Sequence, residues 1–130
     1  MQIDLGCGRA KRPGYIGLDL YPYRGVDIVC DLESGLPFED NSVQRVYANH
    51  VLEHIERFIS LMQEIYRVCC PDAHVEVRVP DFGQDDVQIS QITGGFANLE
   101  HLEIIFKRLC RIVFHQVNLA KVIQANTYAQ

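Results

Sequence analysis

Acidic side chains follow three predicted strands in the first part of the chain. Asp4, Asp19 and Asp31 each end a short β-rich run, and a glycine-rich turn at residues 6–8 follows the first of them. The glycines let the backbone come close to a ligand and expose N–H groups that accept negative charge. At the edge of an open α/β sheet, a carboxylate that ends the second strand is placed to hydrogen-bond ribose hydroxyls. The pattern therefore predicts a site for a ribose-containing ligand at this edge.

This turn has two other interpretations. A tight connection between strands uses glycine without binding any ligand, and Asp often terminates a strand. A dinucleotide fingerprint is the second interpretation. It is disfavoured, because no third glycine follows Gly8 at the GxGxxG position and Asp19 comes sooner than the roughly 20 residues of that fingerprint. A nicotinamide cofactor is therefore not expected.

The sequence HVLEH at residues 50–54 is a second group of residues that could carry chemistry. It satisfies the HxxEH pattern of one class of zinc proteases, in which His50 and His54 would share one helix face. No acidic helix elsewhere offers an obvious third ligand, so we predict no metal site. Either histidine could instead act as a general base or orient an acceptor, since imidazole titrates near neutral pH. In a purely structural alternative, His54 starts a helix and Glu53 supports its first turn.

The composition describes one folded domain. The chain has 130 residues, of which 48% are hydrophobic and 22% are charged. It therefore has enough apolar surface to form a modest hydrophobic core. The net charge of -5 argues against a nucleic-acid backbone or an anionic membrane as the main partner, although RNA stays open as a substrate. No run approaches the ~20 apolar residues of a membrane span and no secretory leader is recognised, so we expect a cytoplasmic protein. Five cysteines without a CxxC pair indicate reduced thiols.

Apolar periodicity predicts the elements that would position these groups. Strands are expected at residues 2–5, 15–20, 26–31, 43–49 and 74–79. Apolar residues at spacings of three and four predict a helix over 52–68 and a long C-terminal helix over 99–125. Strands two to four carry apolar residues on both faces or nearly so, which suits a parallel sheet. An α/β fold follows.

The connections between the first three strands are too short for ordinary crossover helices. Nine residues, 6–14, separate the first two strands and five residues, 21–25, separate the second from the third. Parallel strands usually need about a dozen. One face of the sheet should therefore lack its usual helices. We expect that face to be apolar and to be covered by the C-terminal helix or by a second subunit in a homodimer.

With these motifs in this order, the sequence resembles the class I S-adenosylmethionine-dependent methyltransferases, and among them the small type 11 group. The resemblance rests on DLGCG at 4–8, GLDL at 17–20, CDLE at 30–33, LPFEDNSVQRVYANHVLEH at 36–54 and EIYRVCCPDAHVEVRVPD at 64–81. It covers about residues 2–82. It implies a Rossmann-like, mostly parallel sheet of order 3-2-1-4-5 that binds S-adenosylmethionine and transfers a methyl group to an unidentified acceptor.

The resemblance also implies which residues bind the cofactor. The set is Asp4, Gly6, Cys7, Gly8, Asp19, Leu20, Asp31, Leu32, Asn49 and His50. The turn 6–8 would line the methionine part and Asp4 would help hold its ammonium group. Asp19 would bind the ribose hydroxyls, and Asp31 with Leu32 would flank the adenine.

At the end of the fourth strand, the resemblance places Asn49 and His50 below the methionine part of the cofactor. His50 and His54 are also the candidate catalytic residues, by the argument from imidazole given above.

The region after the fifth strand departs from the family. The fold generally continues with a helix and an antiparallel strand pair, whereas residues 83–130 show a long helical pattern and no convincing strand. We therefore predict a cofactor-binding core at 1–83 and a helical region at 84–130 that packs on the core or forms an interface. The fifth strand would be left as an exposed edge. A truncated or divergent member is one interpretation, and the alternative function is a non-catalytic module for binding or dimerisation.

Overall fold

The computed structural model describes residues 1–79 and 87–89, which contain a six-stranded sheet. The strands are β1 (Gln2–Leu5), β2 (Ile16–Asp19), β3 (Ile28–Val29), β4 (Val43–Asn49), β5 (Cys69–Val79) and β6 (Val87–Ile89). They lie in the order β3-β2-β1-β4-β5-β6. The first five are parallel, so their carboxyl ends meet at one edge, which we call the carboxyl edge. The predicted order 3-2-1-4-5 and the Rossmann-like α/β fold are confirmed.

The predicted strand bounds agree with the structure for two strands and differ for others. β1 and β4 have the predicted bounds. β3 is shorter than the predicted 26–31, because Asp31 instead caps a 3₁₀ turn at Leu32–Ser34. β5 begins at Cys69 rather than at residue 74, and its register against β4 shifts between Val43 and Arg45.

Strand β6 corrects the expectation that β5 is an exposed edge. It runs antiparallel to the end of β5, with Val77 paired with Ile89 and Val79 paired with Val87. The sequence argument missed this strand because three residues are too few for an alternating pattern to be recognised. The last part of β5 therefore has a hydrogen-bonded neighbour on its outer side.

Helix α1 spans Phe58–Val68, so the predicted helix start at residue 52 is wrong. Leu52–His54 form a 3₁₀ turn and Ile55 is extended. Leu52, the first residue of this turn, is buried in the core. The helical spacing of apolar residues therefore continues through a segment that is not α-helical. The helix leads directly into β5, since Cys69 is extended and its N–H donates to the Ile65 carbonyl.

One face of the sheet, here called the apolar face, holds the core. It carries the buried side chains Ile3, Leu5, Leu18, Val46, Ala48, Val75 and Val77. Helix α1 adds Leu61, Ile65 and Val68, which are fully buried as well. Each buried Val, Leu or Ile stabilises the fold by about 1.5–3 kcal/mol relative to an exposed one. Packing on this face therefore supplies much of the stability of the described residues.

The opposite face, here called the polar face, carries the alternate residues of the same strands. Strand register places Gly17, Asp4, Tyr47 and Glu76 in one row across β2, β1, β4 and β5. Arg12, from the β1–β2 connection, lies over this row. Its guanidinium donates to Glu76 Oε2 at 2.8 Å and lies 4.4 Å from the centre of the Tyr47 ring.

Arg78 approaches the same carboxylate from its other oxygen. The distance from Arg78 Nη2 to Glu76 Oε1 is 2.9 Å, and the guanidinium lies 5.8 Å from the Tyr47 ring centre. Burial raises the pKa of Glu76, but the hydrogen bonds and charges of Arg12 and Arg78 outweigh it, so the pKa lies below its ordinary value. We expected the helix-poor face to be apolar. The face under the β1–β2 connection is instead polar and charged in the described part of the chain.

Arg67, near the end of α1, ties residues 36–40 to the helix. Its guanidinium donates to the Leu36 carbonyl at 3.0 Å and to the Phe38 carbonyl and Asp40 Oδ1 at 2.8 Å each. Glu64 binds the same guanidinium through both carboxylate oxygens at 2.8 Å, a bidentate pair. Hydrogen bonds from Arg67 and from the Leu36 N–H lower the pKa of Glu64 to about 2. The segment before β4 is therefore fixed against α1.

Several predictions made for the C-terminal region lie outside the described residues. These are the long helix at 99–125 and the helical region 84–130, apart from β6. The division of the chain after residue 83 stays a prediction. None of the helices in residues 1–79 is long and apolar enough to cross a membrane.

Candidate functional site

The glycine-rich turn and Asp19 meet at the carboxyl edge, between β1 and β2. The Gly8 N–H donates to Asp19 Oδ2 at 2.9 Å, and the Tyr21 N–H donates to Asp19 Oδ1 at 3.0 Å. A carboxylate offers about four acceptor positions, so these two bonds orient the group and leave lone pairs for a ligand. This arrangement suits a carboxylate that receives two neighbouring hydroxyls.

The two glycines of the turn have positive φ values but different surroundings. At Gly6, with φ 60°, an added Cβ would lie 2.5 Å from a methyl carbon of Val51. At Gly8, with φ 53°, an added Cβ would meet no heavy atom of residues 1–79 or 87–89 within 4 Å. Both conformations favour glycine, but only Gly6 is closely packed. Within the described part of the chain, the backbone at Gly8 is therefore open to its surroundings.

Asp4 lies beneath the turn, on the polar face. It is 1% exposed, and its Oδ2 accepts the Arg12 N–H at 2.7 Å. Burial raises the pKa of Asp4 above its ordinary value, although the Arg12 hydrogen bond and the charges of Arg12 and Lys11 oppose the change. Asp4 therefore orders the connection that carries the turn.

Cys7 fills the inside of the turn. It is buried, and its N–H donates to the Leu18 carbonyl at 3.1 Å. Burial, together with the negative charges of Asp4 and Asp19, raises the pKa of the thiol to about 11. The thiol therefore stays protonated at neutral pH and is not a nucleophile.

The residues predicted to lie near the adenine and ribose differ in exposure. Asp31 is exposed and accepts hydrogen bonds from the Glu33 N–H at 2.9 Å and the Ser34 hydroxyl at 3.2 Å. Leu32 is 6% exposed and belongs to the core, whereas Leu20 is 54% exposed. Of these two leucines, Leu20 has the side chain available to a ligand.

A surface hollow of about 500 Å³ lies beside Asp31. It is lined by residues 30–31 and 34–37 and by Glu64 and Arg67. Its charged side chains are already paired with each other and with the backbone. Of the predicted site residues, Asp31 lines this hollow, whereas Gly8 and Asp19 are not among its described lining residues.

The end of β4 brings a second group of residues to the carboxyl edge. Asn49 is its exposed last residue, and His50 follows with φ 55°, in the left-handed region that non-glycine residues rarely adopt. The His50 N–H donates to the Arg78 carbonyl at 2.9 Å. Such strain amounts to about 1–3 kcal/mol and persists where the surroundings fix it. The next residue, Val51, packs against Gly6 and joins this segment to the glycine-rich turn.

Glu53 lies between the two histidines of HVLEH. Its Oε1 atom is 3.6 Å from His50 Nδ1 and 4.0 Å from His54 Nε2. The Glu53 side chain is 6% exposed, whereas those of His50 and His54 are 38% and 78% exposed. The structural alternative in which Glu53 supports the first helical turn is wrong, because α1 begins only at residue 58.

The local backbone does not suit the zinc pattern. The HxxEH pattern requires a continuous helix. Residues 50 and 51 instead follow directly after β4, and residues 52–54 form a 3₁₀ turn. Among residues 1–79 and 87–89, no group of three or more His, Cys, Asp or Glu side chains is arranged to hold a metal ion.

A comparison with protein families identifies the family of this chain. A family model described as a methyltransferase domain matches residues 3–77, which is more than half of the 130 residues. The chain belongs to this methyltransferase domain family. It is a class I S-adenosylmethionine-dependent methyltransferase domain of type 11, as the sequence motifs predicted. No curated protein sequence matches this methyltransferase domain at a significant level.

Solved structures with a similar fold include three methyltransferases. An S-adenosylmethionine-dependent methyltransferase from Aquifex aeolicus has 14% identity and a TM-score of 0.50, covering 64% of this chain and 59% of its own. One from Mesorhizobium loti has 18% identity and a TM-score of 0.48, covering 68% and 56%. Phosphoethanolamine N-methyltransferase 2 from Haemonchus contortus, with phosphomonomethylethanolamine and S-adenosylhomocysteine, has 20% identity and a TM-score of 0.51, covering 84% and 33%. The methyltransferase domain thus spans less than two thirds of each of these chains, and its likeness to the Aquifex aeolicus and Haemonchus contortus proteins is one of fold.

Sequence reasoning missed the residues of the polar face and the burial of Glu53. One signal was present: VQRVYAN in β4 and HVEVR in β5 place a polar or aromatic residue at alternate positions. This alternation is typical of strands with one apolar and one polar face. Nothing local in the sequence indicates that Arg12 reaches Glu76, since the two residues are 64 positions apart.

Proposed function

We propose that the methyltransferase domain binds S-adenosylmethionine at the carboxyl edge and transfers its methyl group to an acceptor. The observation that carries this proposal is the pairing of Gly8 with Asp19, which sets an open backbone turn beside an oriented carboxylate. When bound, the cofactor supplies an electrophilic methyl group on a sulfonium centre. The chain supplies the groups that hold and orient it.

The residues present fit the parts of this cofactor. Asp19 would receive the ribose hydroxyls with its remaining lone pairs, and the exposed Leu20 would pack beside the nucleoside. The turn 6–8 would contact the methionine part through its backbone. Because Asp4 is buried and already accepts the Arg12 N–H, we propose that it acts on the ammonium group by fixing the turn.

The proposed catalysis depends mainly on positioning. Methyl transfer is an in-line displacement, so most of the acceleration can come from holding acceptor and methyl group in near-attack geometry. A base is needed for a protonated or weak nucleophile. His50 is the candidate base, because it is half-exposed at the carboxyl edge next to the residue that touches Gly6. His54, largely in solvent, is assigned only the orientation of the acceptor.

Substitution of Asp19 tests the proposed cofactor site. Asp19→Ala removes the carboxylate that would bind the ribose hydroxyls, so we expect the affinity for S-adenosylhomocysteine to fall by about 1–3 kcal/mol. Calorimetric titration of the full chain measures this change. The exposed Asp72→Ala is the matched control and should bind as the wild type does.

Two results would contradict this proposal. If the folded wild-type chain gives no heat and no thermal stabilisation with S-adenosylmethionine or S-adenosylhomocysteine, it does not bind the cofactor. If Asp19→Ala folds and binds with unchanged affinity, Asp19 does not belong to the site. Binding without turnover over a broad panel of acceptors would favour the non-catalytic module instead.

The cellular setting is part of the same proposal. The cysteines at positions 7, 30, 69 and 70 are free thiols, which suits a reducing compartment such as the cytoplasm. We retain the homodimer and the division into 1–83 and 84–130 as proposals. Elution volume and limited truncation of the chain would test them.

A further inference from the structure

Glu53 carries a buried carboxylate oxygen that has no hydrogen-bond partner. Within residues 1–79 and 87–89, its Oε2 is the one buried side-chain oxygen or nitrogen in this condition. The whole side chain is only 6% exposed. A buried polar atom without a partner is destabilising, and more so when the group is charged. The described residues therefore leave Oε2 of this carboxylate in need of a donor.

This carboxylate belongs to the same edge of the sheet as the proposed cofactor site. Its other oxygen, Oε1, lies 3.6 Å from His50 Nδ1. The His50 backbone is held by the Arg78 carbonyl, and Val51 packs directly against Gly6. The segment that carries Glu53 is thus fixed to the turn that would line the methionine part of the cofactor.

We infer that Glu53 and His50 form the acceptor subsite of this domain, and that the acceptor is an amine. The inference rests on the proposed function. A protonated amine supplies both the N–H donor that Glu53 Oε2 lacks and a positive charge to offset that of the buried carboxylate. A hydroxyl acceptor fits less well, because a neutral hydroxyl supplies a donor but no positive charge to offset that of a buried carboxylate. The net charge of -5 also favours the approach of a cation.

The proton and electron balance of the step is simple. The ammonium form of the acceptor binds at Glu53 and gives one proton to the His50 imidazole, which is 38% exposed and can pass it to solvent. The nitrogen lone pair then forms the bond to the methyl carbon. The carbon–sulfur bond breaks, its electron pair stays on sulfur, and the positive charge moves from sulfur to the methylated nitrogen.

Two cofactor analogues can test this subsite without knowledge of the acceptor. Sinefungin carries a protonated amine where S-adenosylmethionine carries its methylsulfonium group, whereas S-adenosylhomocysteine is neutral at that position. We expect the full chain to bind sinefungin about tenfold or more tightly than S-adenosylhomocysteine at neutral pH. Glu53→Gln should bring this ratio close to one and leave the affinity for S-adenosylhomocysteine almost unchanged. Glu56→Gln, which changes an exposed carboxylate of the same segment, is the matched control and should keep the ratio.

The outcomes separate the inference from the proposed function. A wild-type chain that binds both analogues equally overturns the amine subsite while the proposed function stands, even if Glu53→Gln does not fold. A folded Glu53→Gln that keeps the wild-type ratio also overturns it. A chain that binds neither analogue overturns the proposed function and the subsite together. Glu53→Asp retains the charge on a shorter side chain, so an intermediate ratio for this variant supports the inference.

Discussion

The apolar and polar faces of the sheet are stabilised by different means. On the apolar face, aliphatic side chains of the strands and of α1 pack together. On the polar face, buried carboxylates lie beneath arginine side chains. Asp4 and Glu76 are buried. Arg12 and Arg78 remain more than a third exposed. A parallel sheet is usually covered by helices on both faces. Within residues 1–79, guanidinium groups stacked on a tyrosine ring lie over a face whose connections are too short for helices.

The two faces should therefore respond to opposite changes. Close packing of aliphatic side chains does not tolerate a charge, because a buried charge without a partner loses its hydration. The polar face should be damaged by the loss of a charge, because Arg12 and Arg78 are held near each other by Glu76. Substitutions on either face can break or sharpen this comparison.

The largest effect is expected on the apolar face. Ile65→Asp places a carboxylate at a fully buried position of α1. We expect it to lower the free energy of unfolding by about 3–5 kcal/mol or to prevent folding. Urea unfolding followed by circular dichroism measures this loss. Gln63→Asp, at an exposed position of the same helix, should lose less than about 1 kcal/mol, and an equal loss in both variants would contradict the packing argument.

A smaller effect is expected on the polar face. Glu76→Ala leaves the guanidinium groups of Arg12 and Arg78 without the carboxylate that both contact. We expect a loss of about 1–2 kcal/mol in the same measurement, reduced by the partial exposure of the arginines. Glu76→Gln keeps one acceptor and should lose less. The exposed Glu39→Ala is the control, and a Glu76→Ala variant as stable as this control would mean that the pairing contributes nothing.

The smallest effect is expected for the Glu64–Arg67 pair. It serves as a reference for the pairs of the polar face, because the Glu64 side chain is more exposed than that of Glu76. The pKa of Glu64 is lowered from 4.5 to about 2 by its hydrogen bonds with Arg67 and the Leu36 N–H. The pair should therefore stabilise the fold fully above pH 4.5 and lose this contribution as the pH falls towards 2.

Glu64→Gln removes this titration. Between pH 4.5 and about 2, the free energy of unfolding should fall by about 1 kcal/mol less in the variant than in the wild type, after allowance for solvent screening. Urea unfolding at a series of acidic pH values measures the difference. Glu39→Gln should follow the wild-type curve, and parallel curves for Glu64→Gln and the wild type would show that the pair is energetically neutral.

Much of the fold was predictable because the relevant signals are local or lie in ordered motifs. Short β-rich runs predicted the bounds of β1 and β4, and the family motifs predicted the strand order. The start of α1 was not predictable from spacing, because the 3₁₀ turn at Leu52–His54 keeps an apolar residue in phase with the helix. β6 was missed because it has only three residues.

For the candidate site, the sequence located the residues better than it located their surroundings. Asp19 and Gly8 could be placed together, because the ends of neighbouring parallel strands share one edge. The difference between an exposed Leu20 and a buried Leu32 could not be read from the sequence, because it depends on the 3₁₀ turn that Asp31 caps. The isolation of Glu53 Oε2 likewise depends on packing between segments.

The hold of Arg67 on residues 36–40 has a consequence for limited proteolysis. A protease must draw several residues of its substrate into an extended form, and here the carbonyl groups of Leu36 and Phe38 are bound to a side chain of α1. Residues 21–25, by contrast, are exposed and include Arg24, a trypsin cleavage point. Of these two connections, the one after β2 should be nicked first, and the fragment that begins with Gly25 would still contain α1 with its bound segment.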